Sequence, residues 1–394
     1  MNRLKYISIV ALILFSTTLI MAQGTTPQDP IGQSDDRRVI TTAVPFLTIT
    51  PDARAGAMGD AGVATTPDAN AVYWNPAKLA FINNDVGFSL SYTPWLGKII
   101  NDMSITYLSG YYKFTKEQAV AVSMKYFDLG EIFFRDGEGN STGDFNPREV
   151  AFDATYSRML SQKLGVGITA RYIHSNLTGN FSSPNPTTGA DARPGNSVAA
   201  DIAVYYNKDL LLSGTNSNLA LGAVISNIGS KLTYSDENNR DFIPTNLRLG
   251  SAFTTNLDPY NKLTFALDFN KLLVPSPQED GSEKDESLLN GIFGSFGDAQ
   301  GGGSEELKEV TVSAGAEYWY NDTFAARVGY FLESEEKGNR KYLTMGLGFR
   351  YQVFGVDFAY LIPKEQEHPL AETLRFTLLF NFEKKNQEEQ SVTD

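Results

Sequence analysis

PDARAGAMGDAGVATTPDANAVYWNPAKLA, residues 51–80, is the longest run of this chain that reads as neither a strand nor an ordinary surface loop. Small residues (Ala53, Ala55, Gly56, Ala57, Gly59, Ala61, Gly62) lead to an aromatic end, Tyr73 and Trp74, followed by Asn75 and Pro76. Glycine and alanine let backbone approach backbone closely, and Pro76 pushes Asn75 out of helical geometry. Such a stretch suits a compact plug held inside something larger. Its candidate positions are Pro51, Arg54, Gly56, Gly59, Asp60, Trp74, Asn75 and Pro76.

Beyond the plug the pattern changes to segments of about ten residues with period-two alternation, the signature of outer-membrane strands. Fourteen such segments are expected, at 85–94, 102–115, 117–128, 148–160, 163–176, 196–208, 217–229, 243–256, 260–271, 309–320, 322–334, 340–351, 353–362 and 371–382. In the ninth, Leu263, Phe265, Leu267 and Phe269 share one face, with Thr264, Ala266, Asp268 and Asn270 opposite. In the last, Leu374, Phe376, Leu378, Phe380 and Phe382 oppose Arg375, Thr377 and Asn381. The second face also carries Lys125, Asp153, Arg171, Asp201, Arg248, Glu317, Arg327, Arg350 and Asp357. A lipid-facing exterior around a charge-mixed lumen explains both faces at once. Those charges either line a solute path or pair with one another. The competing reading is a soluble all-β secreted protein, which composition does not exclude.

Even-numbered connections are tight, as at Lys116, Asn321 and Gln352, with Asp209–Asn216 the exception. Odd-numbered ones are long, notably 129–147, 177–195, 230–242 and 272–308. Short periplasmic turns alternating with long external loops is the outer-membrane rule. It places both termini in the periplasm, with the plug entering from that side. The expected division is a signal peptide (1–22), a periplasmic segment (23–50), the plug (51–84), the barrel (85–382) and a periplasmic tail (383–394).

The signal peptide rests on Arg3 and Lys5 before an apolar run from Ile7 to Phe15, with cleavage after Ala22. Its loss takes the formal charge from −13 to −15, which argues against nucleic-acid binding. The chain has no cysteine, which excludes disulfides and thiolate metal sites. Past the signal no run of 18 apolar residues occurs, so a membrane location requires a closed barrel, in which every backbone group is paired.

Signs of catalysis are weak, and no enzyme activity, cofactor or metal is expected. His174 and His368 are far apart and read as solvated rim residues, and no G-x-S-x-G elbow occurs. The G-x-G-x-x-A string at 165–170 lies within an alternating strand, whereas a dinucleotide site needs it in a turn opening a helix. Asp136, Glu138, Asn140, Thr142 and Asp144 alternate like calcium-loop ligands, but Ser141 replaces the sixth-position glycine and Pro147 the closing Glu. A polar loop is the preferred account.

The ninth connection has an acidic part (Glu279, Asp280, Glu283, Asp285, Glu286) and then Leu288, Leu289, Ile292, Phe293 and Phe296. Large apolar residues outside a membrane require either a partner or the barrel mouth to cover them. Trp95 and Leu96 are a second such spot, read first as an interfacial anchor.

A plug ending in Tyr73, Trp74, Asn75, Pro76 and Ala77, before fourteen strands, resembles the FadL-type outer-membrane barrels. The run from Pro51 to Phe81 is similar to the start of the PorV (LptO) family of type IX secretion barrels. The related PorQ barrels share parts of this plug. The resemblance implies a non-enzymatic role with no catalytic residues. Its implied partners are a SprA (Sov)-like translocon barrel, the C-terminal domains of secreted cargo, the PorU-type sortase attachment complex and outer-membrane lipid. The competing function is a FadL-like channel for hydrophobic small molecules.

Overall fold

The structure, a computed structural model, describes residues 38–96, 102–135, 137–177, 193–212, 214–234, 240–277, 286–364 and 373–383. The signal peptide, His368 and the acidic residues Glu279 to Asp285 lie outside them. Alternation dictates the architecture. A segment with one apolar and one polar face cannot leave its backbone groups unpaired in lipid, and closing the sheet pairs all of them.

The described residues form sixteen strands, fourteen of which close into one antiparallel barrel. In chain order the first three are β1 (Val86–Pro94), β2 (Ser104–Thr115) and β3 (Gln118–Asp128). A separate hairpin follows, β4 (Ile132–Arg135) with β5 (Ser141–Phe145). The barrel resumes with β6 (Arg148–Ser161), β7 (Leu164–Asn176), β8 (Gly195–Leu212), β9 (Thr215–Gly229), β10 (Asn246–Asn256) and β11 (Asn261–Leu272). It ends with β12 (Thr311–Tyr320), β13 (Phe324–Leu332), β14 (Lys341–Tyr351), β15 (Phe354–Pro363) and β16 (Leu374–Phe382), which pairs back onto β1 from Val86↔Phe382 to Tyr92↔Phe376. Each barrel strand begins and ends within four residues of its expected bounds.

The two faces divide as the sequence implies. Outward positions such as Val122, Ile168, Phe265 and Leu347 stay exposed, while Thr155, Asp201, Glu317 and Asp357 are buried inside. So wide an apolar exterior is an interaction surface rather than a chance patch. Among the described residues no helix is long and apolar enough to cross a membrane.

Two connections differ from expectation. Asp209–Asn216 is not a long loop: β8 and β9 stay paired to Leu212↔Thr215, so this even-numbered connection is as tight as the others. The connection at 129–147 is not a plain polar loop. It contains the β4–β5 hairpin, with Phe133 and Phe134 exposed.

An inner segment fills the lumen beside the wall. It contains a 3-10 turn (Pro45–Thr48), α1 (Ala53–Gly56), α2 (Ala71–Trp74) and a second 3-10 turn (Pro76–Phe81). Its course differs from the expectation for residues 23–50 in the part that the structure describes, 38–50. Phe46 and Leu47 pack with Met103, Phe127, Leu232 and Ile243, all at the end of the barrel bearing the long connections. Pro76–Phe81 lies at the tight-turn end, where Phe81 meets Tyr205 edge-on and Lys113 Nζ donates to the Ile82 carbonyl. The segment therefore runs from the long-connection end to the tight-turn end. Residues 39–50 do not lie at the tight-turn end because their apolar side chains are covered only where the loops converge.

Candidate functional site

Two regions gather the candidate residues. One is the contact of the inner segment with the wall, and the other is the long connection between β11 and β12.

Arg54 is the hub of the first. On α1 it donates through Nε and Nη2 to both carboxylate oxygens of Glu317 on β12, at 2.9 and 2.7 Å. Nη1 meanwhile reaches the Thr66 carbonyl and Asp68, each at 3.0 Å. Glu317 also accepts from Arg327 Nε at 2.6 Å, and Arg327 passes the pairing on to Asp357 at 2.8 Å, which Arg350 meets at 2.7 Å. Planar guanidinium forks suit such fixed, two-oxygen contacts between rigid elements. The lumen charges of β12 to β15 are thus paired with each other and with the inner segment. A second cluster joins Arg171 to Asp153 at 2.7 Å and Asp201 at 3.0 Å, with Asn227 as a further acceptor.

Backbone contacts complete the fit. Gly59, at φ +69°, sits against the backbone of Gly329, where an added Cβ on Gly329 would lie 2.0 Å from Gly59 N. A Cβ on Gly56 would lie 2.4 Å from Arg375 Nη1. Asp60 accepts from Tyr342 Oη at 2.6 Å and Arg375 Nη1 at 3.0 Å, and Asp268 accepts from the amides of Gly62 and Val63 at 2.7 and 2.9 Å. Asn75 caps the second 3-10 turn by accepting from Ala77 N, while its Nδ2 donates to the carbonyls of Val63 and Val204. Trp74 Nε1 donates to Asp52 at 2.6 Å, and Pro76 packs beside Gly167. Pro51 is buried. Gly167, within the G-x-G-x-x-A string, therefore serves close packing in a strand.

In the second region are two short helices, α3 (Leu288–Gly294) and α4 (Gly303–Lys308), and α4 is anchored by a buried ionic base. Lys271 Nζ donates to Glu306 at 2.9 Å and Glu309 at 2.5 Å, and Lys337 Nζ to Glu305 at 2.8 Å and Glu309 at 2.9 Å. Arg38, at the start of the inner segment, pairs with Glu305 at 3.3 Å. Burial raises the Glu309 carboxyl, but the hydrogen bonds from Lys271, Lys337 and Ser276 outweigh it and hold it below the ordinary carboxylate range. Glu305 is lowered in the same way, burial being overcome by the hydrogen bond from Lys337 and the Gly301 amide.

The five apolar candidates on this connection separate. Ile292 turns inward and is buried, Leu288 is half-buried, and Leu289, Phe293 and Phe296 are 62%, 75% and 54% exposed. Ile292 is thus covered, while Leu289, Phe293 and Phe296 remain uncovered. Trp95 and Leu96 are not a free interfacial anchor: both are half-buried against the cluster of Phe46 and Leu47. His174 belongs to β7, where Nδ1 meets Asn196 Oδ1 at 2.8 Å. Of the calcium-like residues, Asp136 lies outside the described residues, Glu138 and Asn140 lie between β4 and β5, and Thr142 and Asp144 belong to β5; among the described residues no group of three or more His, Cys, Asp or Glu is placed to hold a metal.

Sequence reasoning passed over Lys78, whose buried Nζ donates to the Gly62 carbonyl at 2.7 Å and ties the second 3-10 turn to the middle of the inner segment. It also missed Lys271, Glu305, Glu309 and Lys337. Their only signal was charge near strand ends, with no period to mark it.

The family model for the type IX secretion system protein PorV matches residues 32–279, more than half of the chain. The chain belongs to the PorV family. The match takes in the described part of the inner segment and β1 to β11, and stops before α3 and α4. PorV-family membership and the lipid-ready barrel make it an integral outer-membrane barrel of the type IX secretion system, a family of secretion barrels rather than enzymes. No curated protein matches the sequence. Among solved structures, the Pseudomonas putida toluene transporter TodX is similar at 13% identity and a TM-score of 0.47, covering 84% of this chain and 99% of its own. The Ralstonia pickettii toluene transporter TbuX gives 13% and 0.45, covering 84% and 98%. A Pseudomonas aeruginosa FadL homologue gives 10% and 0.43, covering 88% and 100%.

Proposed function

We propose that this PorV-family barrel receives secreted proteins by their C-terminal domains from a SprA (Sov)-like translocon barrel and carries them to a PorU-type sortase complex at the surface. The observation that carries this reading is the α3 face. Leu289, Phe293 and Phe296 stay exposed on a connection that is fixed by buried ion pairs at α4 and by the packing of Gly291 against Phe242 and Pro275, so the apolar surface is presented rather than folded away. A rigid apolar anchor loses little entropy on docking and suits a protein partner.

In this reading the long connections face outward and the tight turns face the periplasm. The C-terminal end of β16 then leaves on the periplasmic side, whereas Arg38 lies at the outer end. The inner segment acts as a stationary plug, its wall contacts being buried ion pairs and backbone-to-backbone packing. A FadL-like channel for hydrophobic small molecules is the other reading. It needs an apolar lumen beside the plug, and the charge pairs of Arg54, Arg171 and Arg327 weigh against it.

The test is co-purification from native outer membranes. Replacing Leu289, Phe293 and Phe296 together by Ser should abolish recovery of cargo C-terminal domains while the barrel still folds. Unchanged cargo recovery would remove the α3 face from the reading. Wild-type barrel that emerges with bound lipophilic solute and no cargo would favour the channel.

A further inference from the structure

A notch of about 430 Å³ opens between the end of α4 and the turn after β13. This lies within the span of about 300–1,000 Å³ found for small-molecule sites. Its apolar part is formed by Leu307, Val310, Val312 and Leu332. Val312 and Leu332 are register partners, and Leu332 continues the outward row of Val328 and Tyr330 on β13. The notch is therefore an extension of the apolar exterior and not of the lumen. Leu307 is 75% exposed above it.

The lip is ionic and balanced. Lys308 Nζ meets Glu336 at 2.5 Å, Lys341 Nζ meets Glu335 at 2.5 Å, and Arg340 meets Glu333 at 2.7 Å. Each of these three cations faces a carboxylate, so the lip has no net charge. A purely anionic headgroup would meet three carboxylates at close range. A headgroup with one phosphate and one ammonium can exchange with a lysine and a glutamate together, leaving every charge matched. The exchange is cheap because the Lys308 and Glu336 side chains are 42% and 44% exposed, and pairs of that kind contribute little on their own.

We propose that this notch is a binding site for one membrane phospholipid with a zwitterionic headgroup. An acyl chain lies along Val312 and Leu332 under Leu307, its phosphate meets Lys308 or Lys341, and its ammonium meets Glu335 or Glu336. A lipid fits better than a protein because the floor is continuous with the wall that lipid already covers.

The test uses the full mature chain, purified and stripped in detergent, then exchanged into phosphatidylethanolamine, phosphatidylglycerol or a mixture, with retained lipid counted by native mass spectrometry. One phosphatidylethanolamine should remain on wild type and should not be displaced by phosphatidylglycerol. Leu307→Asn should weaken retention by about tenfold, the effect of losing one apolar side-chain contact. Leu307 is exposed on a short helix, and heat-modifiable gel migration checks that the barrel is intact. Lys341→Glu should also weaken retention, and adding Glu335→Lys, which restores the pair in reverse, should recover it. Equal retention by Leu307→Asn, tighter holding of phosphatidylglycerol, or no lipid on wild type would each overturn the site. So would a photo-crosslinker at position 307 that labels a protein in cells instead of lipid.

Discussion

The clamp around Arg54 and the base at α4 are both clusters of buried opposite charges, yet they are built differently. In the lumen, Arg54 and Arg327 each bridge two carboxylates on separate elements, Arg350 joins at Asp357, and Arg54 and Glu317 are 263 residues apart in sequence. At α4, Lys271 and Lys337 gather Glu305, Glu306 and Glu309 from a single loop, with sequence separations of 28 to 38 residues. Arginine's fork fixes two oxygens in one plane, while lysine's compact ammonium donates to acceptors in any direction. The lumen cluster thus locks the position of one element against another. The loop cluster supports a surface whose outer residues remain free to meet something else.

Breaking the lumen contact should have the largest consequence. In Gly329→Val the new side chain meets Met58 C and Gly59 N, both 2.0 Å from the ideal Cβ, and neither backbone can retreat without lifting the inner segment. The expected outcome is loss of the compact, heat-modifiable barrel on gels. Next comes Glu317→Ala, which leaves Arg54 and Arg327 buried without their shared partner; losing one member of a buried pair costs about 3–5 kcal/mol. Thermal melting in detergent should show that loss. A melt unchanged from wild type would mean that the clamp adds nothing to holding the segment.

The difference between the two clusters also explains what the sequence could reveal. Strand phase put Glu317, Arg327 and Asp357 in the lumen because each occupies the face opposite a row of apolar residues. It could not say that Arg54 completes their network, since a link across 263 residues has no local signature. The inner segment was legible from its small residues, and Gly59 makes a close backbone approach to Gly329. Its direction was not legible. That depended on Phe46 and Leu47 finding cover among loops whose meeting is a property of the closed barrel. At 288–296 the apolar run was visible, but which side chains turn inward follows from the pitch of a seven-residue helix and its anchoring by Ile292.

The loop base should respond to acid. Burial opposes the charges of Glu305 and Glu309, but their lysine contacts prevail and hold both below the ordinary Glu value of about 4.3. A lowered carboxylate stabilises fully above its unfolded value and loses that contribution as pH falls through the folded one. Lys337 is the mirror case: burial lowers it, but Glu305 and Glu309 raise it on balance, so its contribution holds below the ordinary Lys value of about 10.4. The loop should stay ordered across neutral pH and open as carboxylates protonate in acid. Hydrogen exchange of α3 and α4 as pH is lowered measures this. Glu309→Gln should bring the opening to neutral pH at a cost of about 1–3 kcal/mol, the penalty of leaving a buried partner unmatched.

The smallest effect on stability belongs to the α3 face. Leu289, Phe293 and Phe296 already point into solvent, so replacing all three by Ser removes no buried contact and should change barrel stability by no more than about 0.5 kcal/mol per site. Any partner that uses them loses its anchor, and truncating an interface anchor typically costs about 2 kcal/mol or more in binding. The triple variant should therefore melt with wild type and still fail to hold cargo, whereas Ile292→Ser, inside the loop, should lower the melt as well. If the triple variant instead destabilises the barrel, these side chains are packing residues after all. The loop would then be a lid on its own lumen, built on the same plan as the Arg54 clamp.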